Sequence, residues 1–407
     1  MSQTALKNNY KVLILGAGSG GISVAAKLAK DIDDGDMALV DPSENHYYQP
    51  LWTLAGAGVV DKTVTEKKQK DLIPSGVDWI QDAVKIVQPE KNTVILNTGR
   101  EIQYEYLIVA TGLKLNWDSI QGLQGHLGRH GIGSIYHYDV VDKTSEMIHN
   151  FKGGKAIFVM PPVPIKCAGA PQKIMYLADH VFRNNGVREK SEIYFATAGK
   201  AMFGIPTFGN ALAAIAKEKG IHPLFSHKLI SVDAENKKAE FDVTDADGKV
   251  TRETQSYDFL HVVPTMSAHS YVAESGLAFT EGDQKGWLAV NKETLQHLKF
   301  PNIFGIGDVT GVPNSKTGAA IRVQYPIVAA NLLSVMKDEA PEEKYNGYSS
   351  CPLITEIGKV MLAEFGYDGK LMPTFPLDPT IPRRSYWHLK KDLLPLLYWH
   401  GMLKGWA

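Results

Sequence analysis

The sequence predicts an α/β fold in which parallel strands alternate with helices in more than one domain. At 407 residues the chain is too long for one ordinary hydrophobic core. Its first apolar strand, KVLIL at 11–15, leads directly into a glycine-rich turn and a helix with apolar residues on one side. Further apolar strands lie within 104–112 and 303–308, and each ends in a glycine-containing turn. Strand–turn–helix units of this kind are typical of parallel sheets.

Composition narrows the class of protein. Hydrophobic residues make up 44% of the chain and the formal net charge is −1, which favours a globular protein and argues against a nucleic-acid partner bound by a basic surface. The first residues form a polar tail without the pattern of a secretory signal, and no apolar run is long enough to span a bilayer. The histidines show no metal-type spacing, and we expect no metal site.

The N-terminal unit fits a dinucleotide-binding site. A strand, the sequence GAGSGG, a helix, a second strand and an acidic residue follow one another. Gly16 makes the tight turn, Gly18 lets a pyrophosphate approach the backbone, and Gly21 lets helix and strand pack closely. Asp41 accepts a hydrogen bond from a ribose hydroxyl, and the helix N-terminus faces the phosphates. The sequence therefore predicts a Rossmann-like nucleotide domain.

Two later segments decide which nucleotide is bound. YEYLIVATG places Thr111 and Gly112 after a strand, and IFGIGD places Asp308 after another. Together with the first motif they resemble the FAD signatures of the glutathione-reductase-like flavoproteins. That resemblance implies bound FAD, a flavin domain built from two separate stretches of chain, and a role for Asp308 at the ribityl chain. Further cofactor-binding candidates implied by it are Val84, Lys316 and Thr317.

A second nucleotide domain is expected, but without its usual ligand. Its first strand, at 156–159, runs into MPPVPIKCAGAPQK where a glycine turn would normally stand. Pro161, Pro162 and Pro164 have no N–H to donate and keep the backbone away from a pyrophosphate. The second domain is therefore predicted to keep a Rossmann-like scaffold without binding NAD(P)H, so that the electrons come from another donor.

The chain has two cysteines, and one of them lies in this unusual loop. Cys167 immediately precedes a helix that is predicted to begin at Pro171, with Lys166 and Lys173 close in sequence. A helix N-terminus and nearby cations both stabilise a thiolate, although an inert loop cysteine is an equally good interpretation from local chemistry. Cys351, in GYSSCPLIT, precedes a predicted strand pair and has uninformative neighbours.

Nearly the whole chain resembles the sulfide:quinone oxidoreductase family, in particular its eukaryotic-type branch with two redox cysteines. The resemblance implies that Cys167 and Cys351 form a bridge beside FAD. Hydrosulfide would attack Cys351 and leave a persulfide there, while two electrons pass through FAD to a membrane quinone. The sulfur would go to an acceptor such as a small thiol or sulfite, or extend as polysulfide. The matching segments are GAGSGG at 16–21, NHYYQPLWTLAG at 45–56, PIKCAGAPQKIMYL at 164–177, FGIGDVT at 304–310, SKTGAA at 315–320, SCPL at 350–353 and DLLPLLYW at 392–399.

One departure bears on the cofactor. Many relatives carry a third cysteine, which is absent here, so the predicted cycle uses two thiols. Because no cysteine precedes Cys167, a thioether from the N-terminal domain to FAD is excluded. We expect non-covalent FAD.

The last 25 residues, RRSYWHLKKDLLPLLYWHGMLKGWA, have apolar residues at near-helical spacing and an excess of cations. Their length and charge suit a segment that lies on a membrane, with Pro395 dividing two short helices. Lys390, Trp399 and Trp406 are the candidate quinone or membrane contacts. The alternative is a helix pair packed on the protein itself or on a partner subunit.

The predicted boundaries are 1–113 with 291–345 for the flavin domain, 114–290 for the second domain, and 346–407 for a quinone- and membrane-contact region. We expect a peripheral membrane protein on the cytoplasmic face of the inner membrane, or on the equivalent matrix face. The oligomeric state is left open, with a homo-oligomer as one alternative.

Two other functions are alternatives to sulfide oxidation: that of a type II NADH:quinone dehydrogenase, and that of a flavin redox sensor without turnover. Nothing local selects a proton-transfer group among His46, His130 and His269.

Overall fold

The computed structural model describes residues 6–406; the start of the predicted polar tail, 1–5, and residue 407 lie outside the described residues. The described strands are β1 (Asn9–Leu15), β2 (Met37–Val40), β3 (Asn45–Tyr47), β4 (Glu66–Lys68), β5 (Val77–Ile80), β6 (Val84–Gln88), β7 (Thr93–Leu96), β8 (Glu101–Val109), β9 (Lys114–Asn116), β10 (Ile132–Gly133), β11 (Gly154–Met160), β12 (Ser191–Thr197), β13 (Ile221–Leu224), β14 (His227–Asp233), β15 (Lys238–Thr244), β16 (Val250–Ser256), β17 (Phe259–His261), β18 (Thr265–Ser267), β19 (Ile303–Gly305), β20 (Ser349–Glu356) and β21 (Lys359–Phe365). The described α-helices are α1 (Ser19–Leu28), α2 (Trp52–Ala55), α3 (Tyr138–His149), α4 (Ala170–Asn184), α5 (Pro206–Glu218), α6 (Ser270–Glu274), α7 (Gly318–Val335), α8 (Arg384–His388) and α9 (Leu394–His400).

The first sheet joins the two ends of the predicted flavin domain. Its strand order is β5-β2-β1-β8-β7-β6, and β19 pairs with β8 as well. The long strand β8 makes this possible, because its first half pairs with β7 and its last three residues pair in parallel with β19. A strand from beyond residue 300 is thus part of the N-terminal sheet, which confirms the predicted discontinuous flavin domain.

Apolar side chains on both faces hold this sheet together. Residues 12–15 of β1 and all four residues of β2 are buried, as expected for parallel strands covered by helices on both sides. Helices α1 and α7 pack against each other beside it. The helix that follows the first glycine turn therefore lies next to the helix that follows the last flavin signature.

The second sheet is the predicted second Rossmann-like unit. Five parallel strands run in the order β10-β17-β11-β12-β13, and an antiparallel sheet of β14, β15 and β16 accompanies them. Helix α4 follows β11 and begins with Pro171 in its first turn, as predicted. The domain boundaries near residues 113, 290 and 345 stay predictions.

The last part of the chain packs on both of these units. The hairpin β20–β21 lies against α4, and the residues from Arg383 to Trp406, which we call the C-terminal segment, lie against α1. A π-helical stretch, Leu389–Leu393, joins α8 to α9 without a break, and Pro395 stands in the first turn of α9. Pro395 was expected to divide two short helices; instead the helical run continues past it, because a proline in the first turn of a helix needs no N–H partner. Among the described residues, no helix is long and apolar enough to cross a membrane.

Candidate functional site: two thiols at a flavin-type cavity

The loop after β11 holds Cys167 in a defined position. Cys167 has a left-handed backbone, with φ +50°. Its N–H donates to the carbonyl oxygen of Lys316 at 2.9 Å, and its own carbonyl accepts from the N–H of Ala170 at 2.8 Å. The hydroxyl of Tyr136 also donates to that carbonyl, at 3.2 Å. The cysteine is therefore fixed between the start of α4 and the segment that leads into α7.

Cys351 reaches the same place from β20. It is 2% exposed and pairs with Ala363 of β21. At Gly169, which precedes α4, an added Cβ would lie 2.6 Å from the Cys351 sulfur. The absence of a side chain at Gly169 is what lets the strand approach the helix this closely. Two cysteines that are remote in sequence are thereby brought into contact.

The two sulfurs are free thiols that share a hydrogen bond. The bridge that the family resemblance implies is thus not formed in this structure, and it stays a prediction for the oxidised protein. The side-chain ammonium of Lys173 donates to the Cys167 sulfur at 3.1 Å. The site therefore consists of a thiol pair with a cation directly against one member.

These contacts separate the acidities of the two thiols. The hydrogen bond from Cys351 and the charge of Lys173 hold the pKa of Cys167 well below its usual value, although burial opposes them. The same shared hydrogen bond, together with burial, raises the pKa of Cys351 well above its usual value. Burial lowers the pKa of Lys173, but the neighbouring sulfurs outweigh it and leave that pKa raised, so the lysine stays charged. Cys167 is consequently the more acidic thiol of the pair and the one that ionises first.

A cavity of about 400 Å³ extends from the thiol pair across the flavin signatures. Of the residues selected from sequence, five line it: Cys167, Asp308, Lys316, Thr317 and Lys390. Cys351 is buried and is not among the lining residues. The cysteine loop, the last flavin signature and the C-terminal segment thus meet at one space.

The N-terminal glycine turn has the shape that a pyrophosphate requires. Gly16 has φ +97°, and an added Cβ would lie 2.6 Å from the carbonyl oxygen of Ala110. A Cβ on Gly21 would collide with the carbonyl oxygen of Gly16, whereas one on Gly18 would meet no atom within 4 Å. Gly18 therefore faces open space at the start of α1, as the fingerprint predicts.

Asp41 follows β2 at the edge of this turn. Its carboxylate accepts from the N–H of Ala17 at 2.7 Å and from the N–H of Ser43 at 2.8 Å. Burial raises the pKa of Asp41, although both hydrogen bonds oppose this. The turn and its acidic residue are already organised, and the residues present fit a dinucleotide such as FAD.

The last flavin signature leads into the end of the site next to the cysteine loop, where the carbonyl oxygen of Lys316 accepts from the N–H of Cys167. The Lys316 ammonium donates to the carbonyl oxygens of Asp308 at 2.7 Å and Thr310 at 2.9 Å, and it lies 3.7 Å from the ring centre of Trp287. Burial lowers the pKa of Lys316 to about 8. The Thr317 hydroxyl accepts from the N–H of Ala320 and caps α7. Lys316 and Thr317 therefore shape this end, and α7 directs its positive N-terminus at the cavity.

Seven cofactor candidates do not line the cavity: Gly16, Gly18, Gly21 and Asp41, described above, and Val84, Thr111 and Gly112. The Thr111 hydroxyl is 2.8 Å from that of Tyr271, and Gly112 has φ +67° at the end of β8. Val84 is half-buried at the start of β6. Their contacts with a flavin stay predictions.

The structure corrects two expectations for the C-terminal segment. Trp399 was a candidate membrane contact, but it is 6% exposed and packs between His46, Tyr48 and the ammonium of Lys67, so it faces protein. Lys390 is also buried and donates to the carbonyl oxygen of Pro50 at 3.0 Å, which excludes contact with lipid headgroups. Its burial and the charge of Lys173 lower the pKa of Lys390 to about 7. Trp406, in contrast, is 79% exposed.

Exposed apolar side chains cluster in the last part of the chain. Leu397 and Phe375 belong to the cluster and also line the cavity, so the cavity borders an exposed apolar surface. Of the 14 large hydrophobic residues described as exposed, eight lie in this region, and we call these eight the apolar face: Leu371, Phe375, Leu377, Ile381, Leu393, Leu396, Leu397 and Trp406.

The histidines considered for proton transfer do not line the cavity. Burial lowers the pKa of His46 to about 4, and burial also lowers the pKa of His269. His130 lies near His126 and Glu235, with ligand-type atoms of the three within 4.8 Å of one another. Sequence spacing missed this group because Glu235 is remote in the chain. Nε2 of His130 lies 3.7 Å from a carboxylate oxygen of Glu235.

Sequence reasoning also missed Tyr136 and Tyr398. Tyr136, which follows β10 in the second domain, donates a hydrogen bond to the carbonyl oxygen of Cys167. Tyr398, in α9, contacts Ser19 at the glycine turn. Neither stands in a motif, and apolar spacing alone does not tell which aromatic residue of LLYWH faces protein.

Comparison with known proteins decides the family. The curated sulfide:quinone oxidoreductase of Mus musculus mitochondria is 43% identical over 399 residues, which cover 98% of this chain and 87% of that protein. This chain belongs to the sulfide:quinone oxidoreductase family. The mitochondrial sulfide:quinone oxidoreductase of Dictyostelium discoideum is also 43% identical, over 98% of this chain and 87% of its own length.

Two further matches agree with the fold. A family model described as "Pyridine nucleotide-disulphide oxidoreductase" matches residues 10–155. The crystal structure of the sulfide:quinone oxidoreductase of Aquifex aeolicus superposes with a TM-score of 0.80 at 19% identity, covering 98% of this chain and 92% of that one. The membership supports a flavin-dependent oxidoreductase.

The unequal acidities of the thiols predict unequal alkylation. In the reduced protein at pH 6, iodoacetamide should modify Cys167 much faster than Cys351, because only a thiolate reacts. Lys173→Met removes the adjacent cation and should slow the reaction of Cys167 at pH 6 by about tenfold or more. Peptide mass spectrometry measures both sites, and Lys190→Met, at an exposed lysine beyond α4, is the control. Equal rates for the two thiols, or no effect of Lys173→Met, would contradict the assigned charges.

Proposed function

We propose that the protein oxidises hydrosulfide and passes two electrons through bound FAD to a quinone. The observation that carries this proposal is the contact between Cys167 and Cys351 at a cavity that also contains the last flavin signature and borders the apolar face. The sequence relationship to curated sulfide:quinone oxidoreductases supports the same activity.

In the oxidised protein, Cys167 and Cys351 form a disulfide. Hydrosulfide attacks the Cys351 sulfur, the sulfur–sulfur bond breaks, and Cys167 leaves as a thiolate. Its low pKa and its contact with the Lys173 ammonium make Cys167 the better leaving group of the two. The products are a persulfide on Cys351 and a thiolate on Cys167.

The bound sulfur then leaves the protein. A thiolate acceptor, or sulfite, attacks the outer sulfur of the Cys351 persulfide, and Cys351 leaves as a thiol. When a second hydrosulfide is the acceptor, the same displacement releases the two sulfur atoms as hydrogen disulfide, the shortest polysulfide. The two cysteines lose two electrons as their disulfide re-forms. FAD supplies the two-electron redox chemistry that connects this oxidation to reduction of a quinone to a quinol.

The charges around the cavity suit an anionic substrate. Lys166, Lys173, Arg322 and Lys390 line the cavity together with Lys316, whereas Asp308 and Glu364 are the acidic residues among the lining side chains. A cavity lined mainly by cations raises the local concentration of anions. We therefore assign hydrosulfide, which is an anion, to this cavity.

The quinone is assigned to the side of the cavity formed by the C-terminal segment. Leu389, Leu394 and Leu397 provide an apolar wall there, and Lys390 is the buried cation beside them. A lysine with a pKa near 7 can donate a proton or a hydrogen bond to a reduced quinone oxygen.

A membrane quinone is dissolved in the bilayer, so a protein that reduces it must contact the membrane. The apolar face collects eight exposed apolar side chains, and two of them, Phe375 and Leu397, line the cavity, so we propose that it rests on the bilayer with Trp406 at the interface. We place the protein peripherally on the matrix face, or on the equivalent cytoplasmic face of an inner membrane.

Oxidation of NADH has less support from this chain. Pro161, Pro162 and Pro164 stand directly after β11, where a pyrophosphate would need backbone N–H groups. Helix α4, whose N-terminus would face that pyrophosphate, instead has the cysteine pair at its start.

Removal of either thiol should abolish sulfide oxidation. In anaerobic titrations, sulfide should bleach the flavin band of the wild-type protein and a short-chain quinone should restore it, whereas NADH should have no effect. Cys167→Ser and Cys351→Ser should not respond to sulfide, because no disulfide can form. Dithionite should still bleach both variants, which controls for bound flavin. Retained turnover in either variant, or bleaching by NADH, would contradict the mechanism.

Loss of the buried lysine should slow the quinone step. The Lys390 ammonium is protonated below its pKa of about 7, so the rate of flavin reoxidation by quinone should fall as pH rises through that value. Lys390→Met should lower the rate at pH 6 by about tenfold or more and flatten the profile. Stopped-flow absorbance measures it, with Lys391→Met as the neighbouring control. An unchanged pH profile in Lys390→Met would exclude this role.

Polar substitution of the apolar face should weaken membrane binding. The double variant Leu393→Ser/Leu396→Ser removes two exposed leucines and should lower partitioning into lipid vesicles by at least about tenfold. Vesicle flotation is the measurement. Leu298→Ser, at a similarly exposed leucine outside the apolar face, should bind as the wild type does. Equal flotation of all three proteins would contradict the proposed docking surface.

The flavin should be releasable. Cys167 and Cys351 are the only cysteines of the chain and both belong to the redox pair, so no thiol remains for a thioether to FAD. Acid precipitation should leave the flavin in the supernatant. Flavin absorbance that stays with the pellet would show a covalent bond.

A further inference from the structure

Tyr398, in α9, contacts the glycine turn of the flavin domain. Its hydroxyl oxygen lies 2.7 Å from the hydroxyl oxygen of Ser19 and 2.5 Å from Nε2 of His46. Tyr398 is 5% exposed, and its ring lies 4.4 Å from that of Tyr48. The C-terminal segment thus places a buried hydroxyl beside the residue that begins α1.

The partners fix the direction of these hydrogen bonds. Nδ1 of His46 lies 3.2 Å from the carbonyl oxygen of Ala17, which can only accept, so Nδ1 carries the proton. Nε2 must then accept from the Tyr398 hydroxyl, and the Tyr398 oxygen accepts from Ser19. Burial, which lowers the pKa of His46 to about 4, keeps the ring neutral, as this arrangement requires.

This chain of hydrogen bonds holds the turn on both sides of Gly18. Ala17 is bound through its carbonyl by His46 and also by the side-chain amide of Gln69, at 2.6 Å. Ser19 is bound through its hydroxyl by Tyr398. Gly18, between them, faces the open space that suits a pyrophosphate. The conformation of the turn therefore depends on a residue that lies 379 positions from Ser19 in the chain.

We propose that Tyr398 is a positioning residue for the flavin: through Ser19 and His46 it holds the glycine turn in the conformation that binds FAD. The C-terminal segment then has two faces with different tasks. One face carries Tyr398 and Trp399 against the flavin domain, and the other exposes Leu393 and Leu396. The inference depends on FAD binding and not on the identity of the electron donor.

Without the Tyr398 hydroxyl, the turn would occupy its binding conformation for a smaller fraction of time, and the apparent affinity would fall by that fraction. Tyr398→Phe removes both hydrogen bonds of the hydroxyl, to Ser19 and to His46, so the dissociation constant of FAD should rise by at least about fivefold. Because the substitution changes the affinity for FAD, the dissociation constant is measured on protein from which the flavin has been removed.

The experiment titrates FAD into the apoproteins of the wild type, Tyr398→Phe and Tyr386→Phe, and follows flavin fluorescence. Tyr386 is also a buried tyrosine of the C-terminal segment, but it packs against Phe375 and away from the glycine turn. Circular dichroism checks that all three are folded. The weaker binding should occur in Tyr398→Phe alone. A dissociation constant within twofold of the wild type, or an equal change in Tyr386→Phe, would overturn the proposal.

A double-mutant cycle tests whether Tyr398 acts through the turn. Ser19→Ala removes the other end of the same hydrogen bond and should also weaken FAD binding, which gives a second test if Tyr398→Phe misfolds. Because both changes break one interaction, Ser19→Ala/Tyr398→Phe should bind FAD like Tyr398→Phe alone. If the two separate factors multiply in the double variant, Tyr398 does not act through Ser19.

Discussion

The close approach of β20 to the start of α4 is the constraint on which the site depends. Gly169 makes it possible, because any side chain there would collide with the Cys351 sulfur and with Leu353. The approach brings a strand from the last sixty residues against a helix of the second domain. It puts Cys351 in contact with Cys167 and leaves Lys173, one turn into α4, against the thiolate. The chemistry of the thiol pair follows from this packing and not from either cysteine's local sequence.

The lining of the cavity suits two reactants that differ in charge and in polarity. Hydrosulfide is a small anion, and the cations around Cys167 suit it; a quinone is largely apolar, and the wall formed by Leu389, Leu394 and Leu397 suits that. Asp308, Lys316 and Thr317 of the last flavin signature line the same cavity, so a flavin held by them would supply the two-electron chemistry that connects the two reactants. The C-terminal segment contributes the apolar wall, Lys390 and Tyr398, so it belongs to the active site as well as to the surface.

Much of the fold was predictable because its signals are local. The glycine turn, the strand ends at Thr111 and Asp308, and the start of α4 at Pro171 each depend on backbone conformations that few residue types allow. The thiol contact was expected only from the family resemblance, since pairing between distant strands leaves no local trace. Trp399 was misjudged for a related reason. Apolar spacing marks a helix face but does not tell whether protein or lipid covers it, and here His46 and Tyr48 cover it.

The central claim is that hydrosulfide opens a Cys167–Cys351 disulfide and leaves its sulfur on Cys351. The most direct measurement is peptide mapping by mass spectrometry, without reductant, of the oxidised protein before and after one equivalent of sulfide under anaerobic conditions. The account predicts a linked pair of cysteine peptides beforehand, and afterwards a single extra sulfur atom on the Cys351 peptide, trapped by alkylation. Unlinked cysteines in the oxidised protein, or an extra sulfur on Cys167 instead, would contradict it.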